Sequence, residues 1–343
     1  MSDTTLQFSA AREGARVLQL ERGVLPRQRV CGEFVSPESL ELLSHLIGDH
    51  ELLHGSERIS KTRILVDDEV LTLPINPPAA SITRYELDRA LWQASIASGV
   101  DCRQHAQVQA VEESSSFTIE TPDGNFHSRA VINATGRWSN LGIHGPEDSQ
   151  PRKLGTKAHF YEADPPQSVD LYFFAGGYCG VQPVAKDMVN VCAVVEAEIA
   201  TSLDEIFAQH PKLWRRSRTW EHLFTPLSTS PLIFRKPLPV SRNILQVGDA
   251  AGFIDPFVGD GISLALRSGV MAAEALTPYF RHEIELTASL AVYGKRYMTE
   301  LVPPFRAASQ IRKLFNIPRA LRTVTARAIQ WSGIGERLVL ATR

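Results

Sequence analysis

Gly248-Asp249-Ala250-Ala251-Gly252, followed by Pro256, then by Gly259-Asp260-Gly261 and Ala265, is the stretch that decides the fold. The apolar run from Ile244 to Val247 just before it predicts a short buried strand. Such a strand ends by delivering Asp249 to the edge of a cleft, where a carboxylate accepts hydrogen bonds from sugar-type hydroxyls. Ala250, Ala251 and Gly252 keep the neighbouring backbone thin. Gly259 and Gly261 open a helix expected over Gly261 to Leu276. The unpaired N–H groups and positive dipole end of that helix point back at the cleft and favour an anion or a polarised carbonyl. An ordinary strand–turn–helix connection is the plain alternative. So many small residues at fixed spacing argue against it.

The chain on either side reads as an α/β protein. Leu6 to Arg12 predicts a helix end stopped at Gly14, and Arg16 to Leu20 a strand ending on Glu21. Ser36 and Pro37 cap a helix to Ile47, and Arg84 to Ser98 is a second helix stopped at Gly99. Arg63 to Val66 and Val70 to Leu73 suggest a small hairpin. Short strands follow at Val108 to Glu112, Phe117 to Thr121 and Phe126 to Ser128, with Pro122-Asp123-Gly124 as a turn, and a buried strand at Ala130 to Ala134. Residues 153–235 are β-rich and read as an antiparallel sheet inserted into the α/β part, with one helix near Leu203 to Gln209. The expected layout is 1–150 and 238–280 as two parts of one α/β domain, 151–237 as the sheet domain, and 281–343 as a helical tail.

The GDAAGxxxPxxGxGxxxA pattern resembles the second FAD motif of the para-hydroxybenzoate hydroxylase fold. That superfamily includes aromatic hydroxylases, geranylgeranyl reductases and flavin-dependent halogenases. Other segments agree in order: Glu21-Arg22 at a strand end, Arg27 to Glu33 with its Cys31-Gly32 pair, Arg84 with Asp88 and Leu91 as RxxxDxxL, and Ala134-Thr135-Gly136-Arg137-Trp138-Ser139 as the turn after a buried strand. The resemblance runs from about residue 9 to 280. It implies a Rossmann-like FAD-binding domain with a substrate sheet and C-terminal helices. It places the cofactor against Glu21, Arg22, Arg29, Cys31, Gly32, Arg84, Val108, Gly136, Gly248, Asp249, Pro256, Gly259, Gly261 and Ile262. The flavin ring is expected near Pro256 and Gly261, beneath the sheet. Several of these have ordinary readings when taken alone: Glu21 as a solvated strand end, Arg84 as a surface helix residue, Cys31 as an inert thiol.

In a dinucleotide-binding βαβ unit the acid follows the first glycine of GxGxxG by about 20 residues. Counting back from Glu21 reaches residue 1, and Met1 to Thr5 holds no glycine. The expectation is therefore an FAD domain that lacks its first strand and phosphate loop.

The sheet is expected to form the substrate wall. Gly176 to Pro183 followed by Asn190-Val191 resembles a reductase and halogenase stretch, GYxWxxP…NVG, with Cys179-Gly180-Val181 where tryptophan is usual. The halogenase WxWxIP signature is absent from the sequence. His159, Tyr161, Tyr172 and Tyr178 are polar side chains that could face a substrate, or equally lie on a solvent face. No catalytic group is assigned; Cys31 and Tyr178 are the candidates.

Composition narrows the partners. Net charge is -2 with 22% charged residues, which leaves no overall field for nucleic acid. The four cysteines show no metal spacing, so no metal site is expected, and their scarcity fits a reducing cytoplasm. No apolar run of membrane-spanning length exists. From Lys295 onward ten Lys/Arg face only Glu300 and Glu336, which reads as a helix with a solvated basic face or as a peripheral membrane contact. The resemblance implies an FAD-dependent oxidoreductase, monooxygenase-like, taking electrons from NAD(P)H and acting on an aromatic or lipophilic small molecule. Double-bond reduction of the geranylgeranyl type is the alternative, and a flavin-less remnant is the reading of another class.

Overall fold

The computed structural model describes residues 15–138, 152–234, 236–253, 259–303 and 306. The predicted helix end at Leu6 to Arg12, the segment bearing on the first strand and phosphate loop, Pro256 and the basic tail beyond 306 lie outside the described residues.

The first part of the chain alternates between two layers. Strand β1 (Leu18–Leu20) is followed by β2 (Phe34–Val35), α1 (Pro37–Ile47), α2 (Glu51–His54), the long strands β3 (Glu57–Val66) and β4 (Glu69–Ser81), α3 (Arg84–Ala97) and β5 (Asp101–Arg103). Helix α1 starts as its sequence predicts: the Ser36 hydroxyl accepts from the Ser39 amide at 3.4 Å and Pro37 takes the first turn. Thr83 caps α3 in the same way through the Glu86 amide at 3.2 Å. β1 and β5 pair in parallel. A meander of β6 (Ala110–Glu113), β7 (Phe117–Thr121) and β8 (Gly124–Ser128) follows, then β9 (Ile132–Asn133).

The second part adds β10 (Lys153–Tyr161), β11 (Ser168–Phe174), β12 (Gly177–Ala185), β13 (Met188–Glu196), α4 (Leu203–Ala208), α5 (Pro211–Ser217), β14 (Glu221–His222) and β15 (Leu227–Leu232). These strands join β2, β3 and β4 in one nine-stranded sheet, because β11 pairs in parallel with β3. The hairpin expected at Arg63 to Leu73 is thus the turn end of two long strands built into this sheet. Every other pairing in the sheet is antiparallel. The chain then returns through β16 (Val240–Ser241) and β17 (Ile244–Gln246) to α6 (Gly261–Phe280) and α7 (Leu286–Arg296). β17 pairs in parallel with β9, so the GDAAG strand lies beside the strand that leads to Gly136.

Both faces of the large sheet are covered. The back face, with Leu65, Ala158, Phe160, Tyr172, Cys179, Val181 and Val191, buries against Ile206 and Phe207 of α4 and Leu213 of α5. The front face carries Val66, Leu171, Phe173, Tyr178, Val194 and Leu232 toward Phe253. A second core forms where α6 and α7 pack over β17, with Leu245, Val247, Leu276 and Tyr293. Each such side chain contributes about 1.5–3 kcal/mol on burial.

Candidate functional site

The site lies where three chain turns meet the front face of the sheet. The first is the turn from Arg27 to Glu33. The second is the 3-10 turn Gly136–Trp138 after β9. The third is the 3-10 turn Gly248–Ala250 after β17, with the start of α6. The last two turns pack directly on each other.

Three glycines mark an open space between them. A Cβ placed on Gly32, Gly136 or Gly261 meets no atom of the described residues within 4 Å. Gly136 also needs its left-handed backbone (φ +79). Gly259 differs: its φ is +75 and a Cβ would come within 2.9 Å of the Phe34 ring, so this glycine serves a close approach. Gly248 is buried, and its N–H donates to the Ser268 hydroxyl at 2.9 Å, which locks the end of β17 onto α6. Ile262 turns its side chain into the core with Val35, Leu87 and Leu266, so only its backbone is on offer to the cleft.

Asp249 is half-buried in this space. Burial pushes its carboxyl above the ordinary carboxylate value, against the pull of Arg137 and Arg84. Arg29, Arg84 and Arg137 converge on it. Burial lowers Arg29, and Arg84 adds to that by like-charge repulsion. Burial also lowers Arg137, with Asp249 offsetting part of the effect. Arg84 is held up instead, because Asp88 and Cys31 outweigh its burial. Its guanidinium bonds Asp88 at 3.0 Å. A pocket with crowded guanidiniums and open glycines at a helix start suits an anionic, hydroxyl-bearing cofactor.

At the far end Glu21 sits where β1 stops, as expected. Its carboxylate accepts from the Gly23 amide at 2.7 Å and from Arg27 at 3.1 Å, and Arg29 lies 3.8 Å away. Arg22 is exposed. Val108 packs with Leu20, Val111 and Phe126 beside the meander.

The Arg27 to Glu33 turn is bolted to the sheet by Glu33, Lys157, His159 and Asn190; of these the sequence reading named all but Lys157, without foreseeing that they meet. Glu33 is fully buried and adopts a left-handed backbone (φ 60). Its carboxylate pairs with the buried Lys157, accepts from His159 Nε2 at 2.7 Å, and accepts from the Arg84 amide at 2.7 Å. Burial pushes the Glu33 carboxyl up, but the His159 hydrogen bond and the Lys157 charge bring it below its ordinary value. Asn190, opposite His159 in the sheet register, donates to the Cys31 and Gly32 carbonyls at 3.0 and 2.8 Å. Cys31 is thus fixed at the rim, with its sulfur accepting from the Glu33 amide at 3.3 Å. Lys157 and His159 lie two apart on one strand, so their shared face was readable; their partner Glu33 was not.

Of the four polar side chains proposed for the substrate wall, the structure divides the set. His159 and Tyr178 lie on the front face. Tyr172 lies on the back face, its hydroxyl accepting from Arg216 at 3.1 Å, and Tyr161 is exposed at the strand end. Tyr178 stands 5.6 Å from Phe173 in the apolar end of the front face, among Leu171, Val194 and Leu232. Cys192 shares the front face between Lys157 and Gly180, its thiol pushed up to about 12 by burial. No cluster of His, Cys, Asp and Glu fit to hold a metal occurs among the described residues.

No known family profile matches the chain. Curated relatives do, among them the following three. It is 26% identical to digeranylgeranylglycerophospholipid reductase 1 of Methanococcoides burtonii, over 84% of this chain and 75% of that protein. It is 25% identical to a menaquinone reductase of Mycobacterium tuberculosis, over 96% and 86%. It is 23% identical to conditioned medium factor receptor 1 of Dictyostelium discoideum, over 87% of this chain but 66% of that protein, so it spans just under two-thirds of that relative's length. Over most of its length the chain is similar to these proteins, two of which are reductases. Solved structures carry the same fold. A geranylgeranyl bacteriochlorophyll reductase-like protein of Thermoplasma acidophilum superposes with a TM-score of 0.81 at 18% identity, covering 99% of this chain and 92% of that one. A variant of the halogenase PltM solved in complex with FAD gives 0.79 at 14% identity, covering 99% and 83%. No helix among the described residues is long and apolar enough to cross a membrane.

Proposed function

We propose that this chain holds FAD in the cleft around Asp249 and works on a lipophilic or aromatic small molecule placed against the apolar end of the sheet's front face. The observation that carries this is the pairing of two unlike walls. One is lined by Gly32, Gly136 and Gly261, each open to the cleft. The other is the apolar cluster of Val66, Leu171, Phe173, Tyr178 and Val194. When bound, FAD supplies a ring that accepts and passes on electron pairs. The chain's own part is to bind, orient and exclude water. Asp249 accepts from cofactor hydroxyls, and Arg137, Arg84 and Arg29 offset its negative charge. The first N–H groups of α6 favour negative charge at the cleft. The apolar wall keeps water from the reacting face.

Of two chemistries, reduction of a substrate double bond or quinone is favoured by the two curated relatives whose names are reductases. Oxygen-dependent hydroxylation is the second reading, and a reduced nicotinamide is the proposed donor for both. FAD-loaded protein given reduced nicotinamide in air separates them. Oxygen uptake that rises with an aromatic substrate supports hydroxylation. Substrate reduction that persists without oxygen supports the reductase. Absence of both overturns the proposal.

A further inference from the structure

Arg137 stands apart from the other arginines of the site. Arg29, Arg84 and, at the back of the sheet, Arg63 and Arg216 each meet a carboxylate within ion-pair distance. Arg137, half-buried, makes no hydrogen bond and no ion pair among the described residues. Its guanidinium lies 4.4 Å from the centroid of the Phe253 ring. Phe253 in turn stacks on Phe234, with centroids 5.3 Å apart and planes 7° off parallel. The Lys153 ammonium lies 5.9 Å from the centroid of the Phe234 ring. The two stacked rings form a platform beneath the guanidinium and offer it no oxygen.

The location is as informative as the missing partner. Arg137 follows Gly136, one of the open glycines, and lies near Asp249, Cys192 and Cys31. Cys192 belongs to the sheet's front face and Asp249 to the opposite wall. Phe253, the ring beneath Arg137, also packs against the apolar cluster of Phe173, Tyr178, Val194 and Leu232. The apolar cluster therefore ends at a planar cation stacked on Phe253. A half-buried guanidinium without an acceptor among the described residues has N–H donors to offer, and a carboxylate or phenolate oxygen satisfies two of them at once.

We propose that Arg137 is a specificity residue that receives the anionic oxygen of the substrate, so that the preferred substrates are apolar acids: a hydrophobic body on the front face and a carboxylate or phenolate head on Arg137. This rests on the front face being the substrate wall. It adds the chemical class that the wall selects.

The test uses matched probes: benzoate against benzamide, and decanoate against decanamide. Binding is read by calorimetry, and flavin content separately by absorbance. The wild-type protein should prefer each acid over its amide by about tenfold or more, the size of one charge-assisted hydrogen-bonded pair. Arg137→Met should abolish that preference while binding the amides as before. Arg137→Lys should keep part of it, since charge remains but the planar fork is lost. Phe253→Leu should weaken it by loosening the platform. Equal binding of acid and amide by the wild type overturns the proposal, as does an unchanged preference in Arg137→Met. A loss of FAD in Arg137→Met with the acid preference intact assigns Arg137 to the cofactor and likewise overturns it. Because probe binding is measured directly, an empty flavin site contradicts the cofactor assignment without touching this result.

Discussion

The backbone amide of Arg84 donates to the Glu33 carboxylate at 2.7 Å, and the same carboxylate holds Lys157 and His159 of the sheet. One buried side chain thus ties the start of α3, the Cys31-Gly32 turn and strand β10 to a single point. Lys157 and Glu33 are both fully buried. Removing one partner leaves an uncompensated charge in the interior, so Lys157→Met should cost about 3–5 kcal/mol. The double variant Lys157→Met with Glu33→Gln should cost clearly less than the sum of the single changes, as measured by denaturant unfolding.

The same group sets an acid limit. The Glu33 carboxyl is held below its ordinary value by His159 and Lys157 despite its burial, and the Asp88 carboxyl by Arg84 and Arg29 despite its own. A depressed carboxylate contributes stability that is present above its unfolded-state value and is lost as pH falls through the folded-state value. The melting temperature should therefore drop below about pH 4.5, with the loss continuing into stronger acid. Glu33→Gln, already less stable at neutral pH, should show a shallower fall over that range. Parallel curves for variant and parent would remove Glu33 from the effect.

Asp249 works in the opposite sense. Burial raises its carboxyl, so the folded protein binds that proton more tightly than the unfolded chain does. Without cofactor, its contribution to stability is greatest at low pH and is lost as pH rises through the raised value. Asp249→Asn should leave the FAD-free protein equally or more stable at neutral pH, and should weaken FAD binding. Asp249→Ala should abolish FAD retention. Equal flavin content in Asp249→Ala and parent would place the cofactor elsewhere.

Two glycines of one motif should respond differently. Gly261 faces open space without a left-handed backbone, so Gly261→Val should fold normally and lose FAD affinity by about tenfold or more, because its side chain fills the cofactor's volume. Gly259 is left-handed and meets Phe34, so Gly259→Ala should cost about 1–3 kcal/mol of stability whether or not FAD is added. Thermal melts with and without FAD distinguish the two.

How much of this was legible in the sequence depended on local chemistry. The cap at Ser36 and the glycines around Asp249 act through near neighbours, and those elements form where the residues place them. The wall was harder to read. β10 to β13 are buried on both faces, so their hydrophobicity does not alternate and gives no sign of which tyrosine looks inward. Tyr172 and Tyr178 differ only through the register of β11 against β12. The Glu33 and Lys157 contact spans 124 positions, and the Arg137 platform joins β9 to the segment after β17. Contacts at such separation follow from the assembled sheet rather than from spacing along the chain.

The central claim is that the cleft around Asp249, Gly136 and Gly261 is an FAD site. Titration of the purified protein with FAD, followed by quenching of flavin fluorescence, tests it most directly. The account predicts a single saturable site that is lost in Asp249→Ala and weakened in Gly261→Val, with both variants folded by circular dichroism. Absence of saturable quenching in the unaltered protein, or equal affinity in both folded variants, would contradict it.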